Sequence, residues 1–242
     1  MSETFVLIAG AWHGGWAWNA VASRLRAGGN RVFAPTLPGL GSDDDVRGVG
    51  LTDAIRYLTD YVDKHDIVEA TLVAHSWGGF VSCGAASALA GRLRRMVFWS
   101  AFVPNDGESF LDACPPEYRV HFDAQANRSA DRTVSLSFNT WRLAFMQDAS
   151  EDAQRIVYGL LRPQPYATFE EPARQDAFFA LDVPTSYILS TDDLALPRGE
   201  WGWQRFAERL SNPLVISLPG SHESCFTRPD ELTWALIAAC VD

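Results

Sequence analysis

The chain has 242 residues, of which 47% are apolar and 21% are charged, and its formal net charge at pH 7 is −10. This composition supports a sizeable core and excludes a disordered chain, and an acidic chain without a cluster of Lys and Arg is a poor partner for nucleic acid or an anionic membrane. The four cysteines are widely spaced with no CxxC pair, which predicts free thiols rather than a disulfide framework or a zinc site.

The first hundred residues alternate between strand patterns and helix patterns. The apolar run Phe5–Ala9 predicts a strand buried on both faces, and Trp18–Arg26 has the apolar spacing of a helix. The same alternation predicts further strands at Arg31–Pro35, Glu69–His75 and Arg94–Phe102, and further helices at Leu51–Asp66 and Gly78–Ala90. Such alternation is typical of a parallel sheet covered by helices on both faces, so we predict an α/β protein.

The alternation stops between about Val103 and Leu181 and then resumes. The middle segment has scattered prolines and helix-like pieces at Phe138–Gln147 and Glu151–Leu161. The strand and helix patterns return at Thr185–Thr191, Trp201–Leu210, Leu214–Pro219 and Glu231–Cys240. We therefore predict one α/β core formed by residues 1–102 and 183–242, with a mainly helical cap insertion at residues 103–182.

The segment Val73–Phe80 reads VAHSWGGF and places Ser76 between a predicted strand and a predicted helix. Residues 74–78 fit the nucleophile-elbow pattern G-x-S-x-G, except that Ala74 replaces the first glycine, and the strand–turn–helix context of that pattern is present. Small flanking residues are needed because the backbone of such a serine is strained. Two interpretations follow, a structural turn or a catalytic nucleophile.

A serine nucleophile on this kind of turn is followed along the chain by an acid and then by a histidine. Of the two histidines after Ser76, His121 lies in the irregular middle segment, whereas His222 follows a late strand, where α/β proteins place reactive groups. Asp192 and Asp193 both close the preceding strand and could hold the imidazole in its working tautomer. We favour Asp193 and keep Asp192 as the alternative.

A tetrahedral intermediate would also need two N–H donors for its oxyanion. One is the backbone N–H of Trp77, the residue after the nucleophile. The other is expected in the glycine-containing loop Gly10–Trp18, which follows the first strand. This loop fits neither G-x-G-x-x-G nor the P-loop pattern, which disfavours a phosphate site.

Taken together, these segments resemble the α/β-hydrolase superfamily, and in particular its branch of plant methylesterases, hydroxynitrile lyases and related bacterial carboxylesterases. The resemblance is carried by FVLIAGAWHGGWAW, APTLPGLGSD, LVAHSWGGF, SAFVPNDGES, STDDLALP and PGSHESCFTRPDEL. It implies an α/β-hydrolase fold with a mostly parallel sheet of about six strands. It also implies that Ser76 is the nucleophile, His222 the base, Asp193 the orienting acid, and Ala11 the second oxyanion donor beside Trp77.

The chain departs from this branch at a few positions near the site. Many relatives have histidine where this chain has Ala9. The lyases of the branch carry threonine where Gly10 lies and lysine where Glu223 lies, so the resemblance favours ester hydrolysis over lyase activity. The role of Glu223 stays open, since its carboxylate could raise the pKa of the neighbouring imidazole or face solvent.

The leading hypothesis is a serine esterase that cleaves a fairly apolar carboxylic ester through an acyl-enzyme, without a metal or an organic cofactor. Phe122, Trp141 and Phe145 are the favoured substrate-binding residues, with Phe138 and Tyr158 as further candidates. The alternatives are the same residues acting on a carbamate, amide, lactone or C–C bond, or a non-catalytic ligand-binding protein of this fold.

The expected partner is a small-molecule substrate, with no nucleic acid and no membrane, and a homodimer stays open. No stretch of the sequence is long enough to span a membrane, and the first ten residues lack the basic start of a signal peptide. A cytoplasmic location is therefore expected.

Overall fold

A computed structural model, which describes residues 2–175 and 177–240, has at its centre a six-stranded sheet in which every neighbouring pair of strands is parallel. In chain order its strands are β1 (Thr4–Ile8), β2 (Arg31–Phe33), β3 (Ala70–Ser76), β4 (Leu93–Ala101), β7 (Thr185–Ser190) and β8 (Leu214–Leu218), and the two short strands between β4 and β7 are β5 (Thr133–Val134) and β6 (Gln164–Pro165). The spatial order is β2-β1-β3-β4-β7-β8. The predicted fold class and strand number are confirmed.

Helices connect these strands. In chain order they are α1 (Asn19–Ala27), α2 (Leu51–Lys64), α3 (Gly78–Leu89), α4 (Pro116–Ala126), α5 (Phe138–Thr140), α6 (Glu151–Tyr158), α7 (Ala167–Glu170), α8 (Gln204–Ala207), α9 (Ser224–Thr227) and α10 (Pro229–Ala238). Short 3₁₀ turns lie at Gly15–Trp18, Ala90–Arg92 and Phe178–Ala180, and a π-helical turn lies at Trp141–Phe145. Each strand of the parallel sheet is thus connected to the next one along the chain by a segment that contains helix.

The central strands β1 and β3 are buried on both faces, as the continuous apolar run of β1 predicts, whereas the edge strand β8 is largely exposed. Successive side chains of a strand point to opposite faces. Accordingly, Phe5 and Leu7 pack in a cluster with α1 and α10, whereas Val6 and Ile8 pack in a second cluster with α2 and α3. All four side chains are fully buried, so both faces of the sheet contribute to the core.

Two predicted helices are shorter or less regular than the sequence pattern indicates. The pattern at Phe138–Gln147 forms only the short helix α5 and the π-helical turn that follows it. The pattern at Trp201–Leu210 forms α8 alone, because Gly202, a poor helix former, lies in the preceding turn. His121, expected in irregular structure, lies on α4.

The segment between β4 and β7 holds α4 to α7, the π-helical turn and the antiparallel pair β5–β6. The assignment of residues 103–182 to a cap stays a prediction. All strands of the parallel sheet end at one edge, and there the loops after β1, β3, β7 and β8 meet this segment. That edge is where ligands bind in open α/β sheets.

Candidate active site

Ser76 is the last residue of β3 and is held in a left-handed backbone conformation, with φ of +50°. Such a conformation costs a non-glycine residue about 1–3 kcal/mol and persists only where the surrounding structure imposes it. Here α3 begins two residues later and packs so closely that a Cβ on Gly79 would lie 1.8 Å from the carbonyl oxygen of Phe102. The strand, the tight turn and the helix therefore present the Ser76 side chain at the edge of the sheet.

The loop after β1 lies directly against this serine. β1 and β3 are paired with Ile8 opposite Ala74, so the residues that follow both strands are neighbours. A Cβ on Gly10 would lie 2.8 Å from the Cβ of Ser76 and 3.1 Å from Nδ1 of His75. In this chain, a larger residue at position 10 would force Ser76 or His75 to move.

His222 and Asp193 are joined by a short hydrogen bond at the same edge of the sheet. The Nδ1 N–H of His222 donates to Oδ2 of Asp193 at 2.7 Å, and both side chains are 1% exposed. The second carboxylate oxygen of Asp193 accepts from the backbone N–H of Ala195 at 2.9 Å. Because Nδ1 is the donor, the neutral ring keeps Nε2 unprotonated and able to accept a proton.

Asp192, the alternative acid, points elsewhere. Its Oδ2 accepts from the backbone N–H of Gly220 at 3.1 Å, and this bond ties the loop after β7 to the loop after β8. The geometry thus pairs His222 with Asp193 and gives Asp192 a turn-stabilising contact.

The environment of His222 raises the pKa of its imidazole above the ordinary value of 6.5. Burial, the largest influence, lowers the pKa because it disfavours the charged ring. The charge and hydrogen bond of Asp193, together with the charge of Glu223, outweigh burial. The site therefore stabilises an imidazolium that forms when His222 takes up a proton.

Three further side chains hold His222 in place, and none of them was predicted from the sequence to have this role. Nε2 of His75 donates to the backbone carbonyl of His222 at 3.1 Å, and burial lowers the pKa of His75 well below its usual range, so its ring is neutral. Trp203 stacks on the His222 ring at 5.2 Å, and Phe145 meets the ring edge-on at 5.2 Å. The only sequence signal was the position of His75 beside Ser76.

The two predicted oxyanion donors lie on either side of this site, Ala11 in the loop after β1 and Trp77 directly after Ser76. Within residues 2–175 and 177–240, the N–H groups of Ala11 and Trp77 donate to no acceptor. The next residue, Trp12, has φ of +65°, and its own N–H donates to Oε1 of Gln164 at 3.0 Å. This bond anchors the loop after β1 to β6.

A cavity of about 310 Å³ opens at this edge of the sheet, and both Ser76 and His222 line it. Its wall is mainly apolar and includes Phe122 and Phe145, two of the predicted substrate-binding residues. The other lining residues are Ala11, Trp12, Phe102, Phe110, Cys114, Glu117, Tyr118, His121, Leu136, Ser137, Thr140, Ala144, Ala195, Leu196 and Trp203. An apolar pocket with a few polar groups is the usual form of a small-molecule site.

Trp141 does not face this cavity, unlike Phe122 and Phe145. It is fully buried, stacks against Phe145 at 6.2 Å, and its Nε1 N–H donates to the carbonyl of Gln154 at 3.0 Å. Its large ring fills the space behind Phe145, so it supports the wall instead of forming it.

Phe138 and Tyr158, the weaker substrate-binding candidates, also lie outside the lining. They pack on each other at 5.2 Å, and the hydroxyl of Tyr158 donates to the carbonyl of Leu136 at 2.8 Å. This contact supports Leu136, which does line the cavity.

Cys114 is a further lining residue whose side chain could act as a nucleophile. Burial raises the pKa of the Cys114 thiol, which keeps this lining residue in its poorly nucleophilic protonated form. Across the described residues, no three His, Cys, Asp or Glu side chains gather as metal ligands.

Among the residues that the structure describes, no helix is both long and apolar enough to cross a membrane.

Known hydrolases resemble this chain in both sequence and fold. Residues 5–234 match the model of the alpha/beta hydrolase family. The chain is 30% identical to a carbendazim hydrolyzing esterase of a Nocardioides species, with 97% of this chain and 98% of the relative covered. It is 25% identical to methylesterase 2 of Arabidopsis thaliana, with 98% and 95% covered.

Among solved structures, an extracellular alpha/beta-hydrolase from a Paenibacillus species is similar, with a TM-score of 0.96 and 30% identity. The alignment covers 99% of this chain and all of that one, and that hydrolase is described as sharing structural and functional homology with tobacco salicylic acid binding protein 2. The predicted resemblance to plant methylesterases and bacterial carboxylesterases, and the enzyme class of carboxylic ester hydrolase, are confirmed. Because this neighbour is extracellular, the cytoplasmic location stays a prediction.

Proposed function

The chain belongs to the alpha/beta hydrolase family, and we propose that it is a serine esterase that cleaves a fairly apolar carboxylic ester through an acyl-enzyme. One observation carries this proposal. Ser76, in a strained turn with φ of +50°, shares a cavity with His222, whose Nδ1 is bonded to Asp193 at 2.7 Å. A strained serine, a base and an orienting acid are the parts that nucleophilic acyl transfer requires.

In the first half of the reaction, Oγ of Ser76 attacks the ester carbonyl carbon and its proton passes to Nε2 of His222. The carbonyl oxygen becomes an oxyanion that accepts from the N–H groups of Ala11 and Trp77. His222 then gives the proton to the departing alcohol, and the acyl group stays on Ser76. Asp193 stabilises the imidazolium throughout without taking up a proton itself.

In the second half, water takes the place of the alcohol. His222 removes a proton from the water, the hydroxide adds to the acyl carbon, and the same two N–H groups hold the second oxyanion. The proton returns to Oγ of Ser76 as the carboxylic acid leaves. None of these steps requires a group beyond the chain, the ester and water.

The apolar wall indicates the kind of substrate. Phe122 and Phe145 both line the cavity, and its volume of about 310 Å³ suits a small organic ester. We propose that the segment between β4 and β7 acts as the cap that forms this wall. Carbendazim belongs in the substrate panel, because the Nocardioides relative is named for hydrolysing it.

The test is hydrolysis of p-nitrophenyl esters of rising acyl length by the wild type and by Ser76→Ala. We expect turnover that falls by about 10⁴-fold or more in the variant. The matched control is Ser87→Ala, an exposed serine on the same helix α3, which should keep wild-type turnover. Equal turnover by Ser76→Ala and Ser87→Ala would contradict the proposal.

A ligand-binding protein is the competing candidate, because the Paenibacillus neighbour is described by its homology to a salicylic acid binding protein. Mass spectrometry after treatment with an active-site phosphonate separates the two. An esterase should gain one phosphonyl group on Ser76, whereas a protein without an activated serine should gain none.

A further inference from the structure

Two buried ionisable side chains beside the site have no part in the proposed mechanism. His13 follows Ala11 by two residues in the loop after β1, and Glu223 directly follows His222. They are 2% and 1% exposed, and Nε2 of His13 lies 3.7 Å from Oε2 of Glu223. Neither is among the residues that line the cavity. Buried charged groups are costly unless they are paired, so this contact needs an explanation.

Among the described residues, the His13 side chain makes one hydrogen bond, and this bond places a proton on Nδ1. Nδ1 lies 2.7 Å from the carbonyl oxygen of Ala11, which can only accept, so Nδ1 carries a proton. Nε2 is buried and has no hydrogen-bond partner among the described residues, and it faces the carboxylate of Glu223. Without another proton, the lone pair of Nε2 of His13 would face the lone pairs of Oε2 of Glu223 in a buried space, and this contact would be repulsive. One further proton held by His13 or Glu223 would turn this contact into an attractive one.

The surroundings favour placing that proton on His13. The rings of Trp16, Trp141 and Phe226 lie 5.6 to 6.0 Å from the His13 ring, and aromatic faces attract a cation. The separation of 3.7 Å from Glu223 is an ion-pair distance and exceeds a hydrogen bond. With His13 as imidazolium and Glu223 as carboxylate, the two side chains carry no net charge together.

The pair lies within a group of other titratable side chains. His75 approaches from β3 and is neutral, and Asp193 approaches from the loop after β7 and is bonded to His222. Cys225, on α9, places its thiol 3.8 Å from Oε2 of Glu223. Without His13, the Glu223 carboxylate would be a second negative charge beside His222, in addition to Asp193.

We propose that His13 and Glu223 form a buried ion pair that positions the oxyanion loop against the His222 loop and neutralises the charge of Glu223 beside the catalytic base. The inference rests on the proposed function, and both are positioning residues. His13 holds Ala11 through its Nδ1 bond, and the backbone N–H of Glu223 donates to the carbonyl of Phe145 at 3.2 Å. The pair thus connects the oxyanion donor, the base and the cavity wall.

The first experiment compares His13→Leu, Glu223→Leu, the double variant and Glu223→Gln on the preferred p-nitrophenyl ester. His13→Leu leaves a buried, unpaired carboxylate, and we expect kcat to fall by about 100-fold with little change in KM. The double variant should recover about tenfold of that loss, because the unpaired charge is gone. Glu223→Gln should retain most of the turnover that Glu223→Leu loses, since its amide N–H can donate to Nε2 of His13.

The pH profile of kcat/KM gives a readout that simple loss of packing would not move. In His13→Leu, the uncompensated carboxylate should stabilise the His222 imidazolium and shift the acidic limb to higher pH. In Glu223→Gln it should not shift upward. An unmoved acidic limb in His13→Leu, or no recovery in the double variant, would overturn the proposal.

The second experiment needs no enzyme activity, so it separates failure of the ion pair from failure of the proposed esterase. NMR of the ¹⁵N-histidine-labelled protein near neutral pH should show both ring nitrogens of His13 protonated in the wild type. In Glu223→Gln, Nε2 should lose its proton. A neutral His13 in the wild type would overturn the ion pair, even if all variants of the first experiment failed to fold.

Discussion

The loops at the end of the parallel strands and the segment between β4 and β7 contribute to the same cavity in different ways. The loops supply short, directional contacts, such as the 2.7 Å bond between His222 and Asp193. The intervening segment supplies apolar rings that pack on one another, such as Phe110 against Phe169 at 4.0 Å and Phe122 against Phe169 at 5.5 Å between ring centroids. Under the proposed function, the first region sets what the site can do chemically, and the second sets which molecule fits.

Because one region depends on directional hydrogen bonds and the other on apolar packing, the two should respond differently to substitution. A hydrogen bond that orients the base has one working geometry, so its loss is expected to reduce the rate by orders of magnitude. An apolar wall tolerates exchange of one hydrophobic residue for another, so a substitution there should change preference more than rate. The predictions below test this division, from the largest expected effect to the smallest.

Asp193→Asn should have the largest effect. The asparagine can keep the space of the aspartate, but its amide favours the wrong tautomer of His222, and kcat should fall by about 10⁴-fold, as in other Ser-His-Asp sites. The measurement is kcat on the preferred p-nitrophenyl ester. Asp192→Asn is the matched control, because Asp192 bonds Gly220 instead of His222, and its loss should be far smaller. An equal loss in both variants would contradict the assignment of the acid.

The wild-type pH profile should show the raised pKa of His222. The base works only when it is unprotonated, so kcat/KM should rise with pH and reach half its plateau above the ordinary histidine value of 6.5. Below that point it should fall about tenfold per pH unit. In Asp193→Asn the loss of the carboxylate should move this acidic limb to lower pH. A wild-type limb below 6.5 would contradict the raised pKa.

The loop region was also the part of the site that the sequence revealed. Ser76 could be located because the pattern around it is local and the strand and helix that flank it are periodic. His222 and Asp193 could be located because the strand ends of a parallel sheet meet at one edge. The fold could be predicted from the same periodicity. The spacing of apolar residues shows which face of each strand or helix is buried, even when the residues that pack on that face are unknown.

The wall could not be predicted residue by residue. Phe145 and Trp141 are four residues apart and equally apolar, yet Phe145 faces the cavity and Trp141 packs behind it. The π-helical turn that they share decides this, and no periodic pattern encodes it. Trp203, which stacks on His222, lies far from it in the chain and gave no local signal.

Phe122→Leu should shift the preferred acyl chain to a longer one, with kcat changed less than about tenfold. Phe122 lines the cavity and is nearly buried, so a smaller side chain enlarges the space for the acyl group. The measurement is kcat/KM across p-nitrophenyl esters of rising length. Phe138→Leu is the matched control in the same segment, because Phe138 packs on Tyr158 outside the cavity. An unchanged preference in Phe122→Leu would show that Phe122 does not limit the substrate.

Tyr118→Phe should have the smallest effect and tests the junction of the two regions. The hydroxyl of Tyr118, on α4, donates to the carbonyl of Ala195 at 3.0 Å, two residues after Asp193. Losing this bond should lower the free energy of unfolding by about 1 kcal/mol and change kcat/KM by less than about fivefold. Tyr57→Phe, on α2 away from the cavity, is the control for loss of a hydroxyl.

The effect of Tyr118→Phe should also be the same throughout the working pH range. Burial raises the pKa of Tyr118 to about 12, so its hydroxyl stays protonated and remains a donor wherever His222 titrates. The ratio of wild-type to variant kcat/KM should therefore be constant across the acidic limb. A ratio that changes with pH would mean that the hydroxyl acts on the protonation of the Asp193–His222 pair, and the two regions would then be coupled electrostatically as well as by packing.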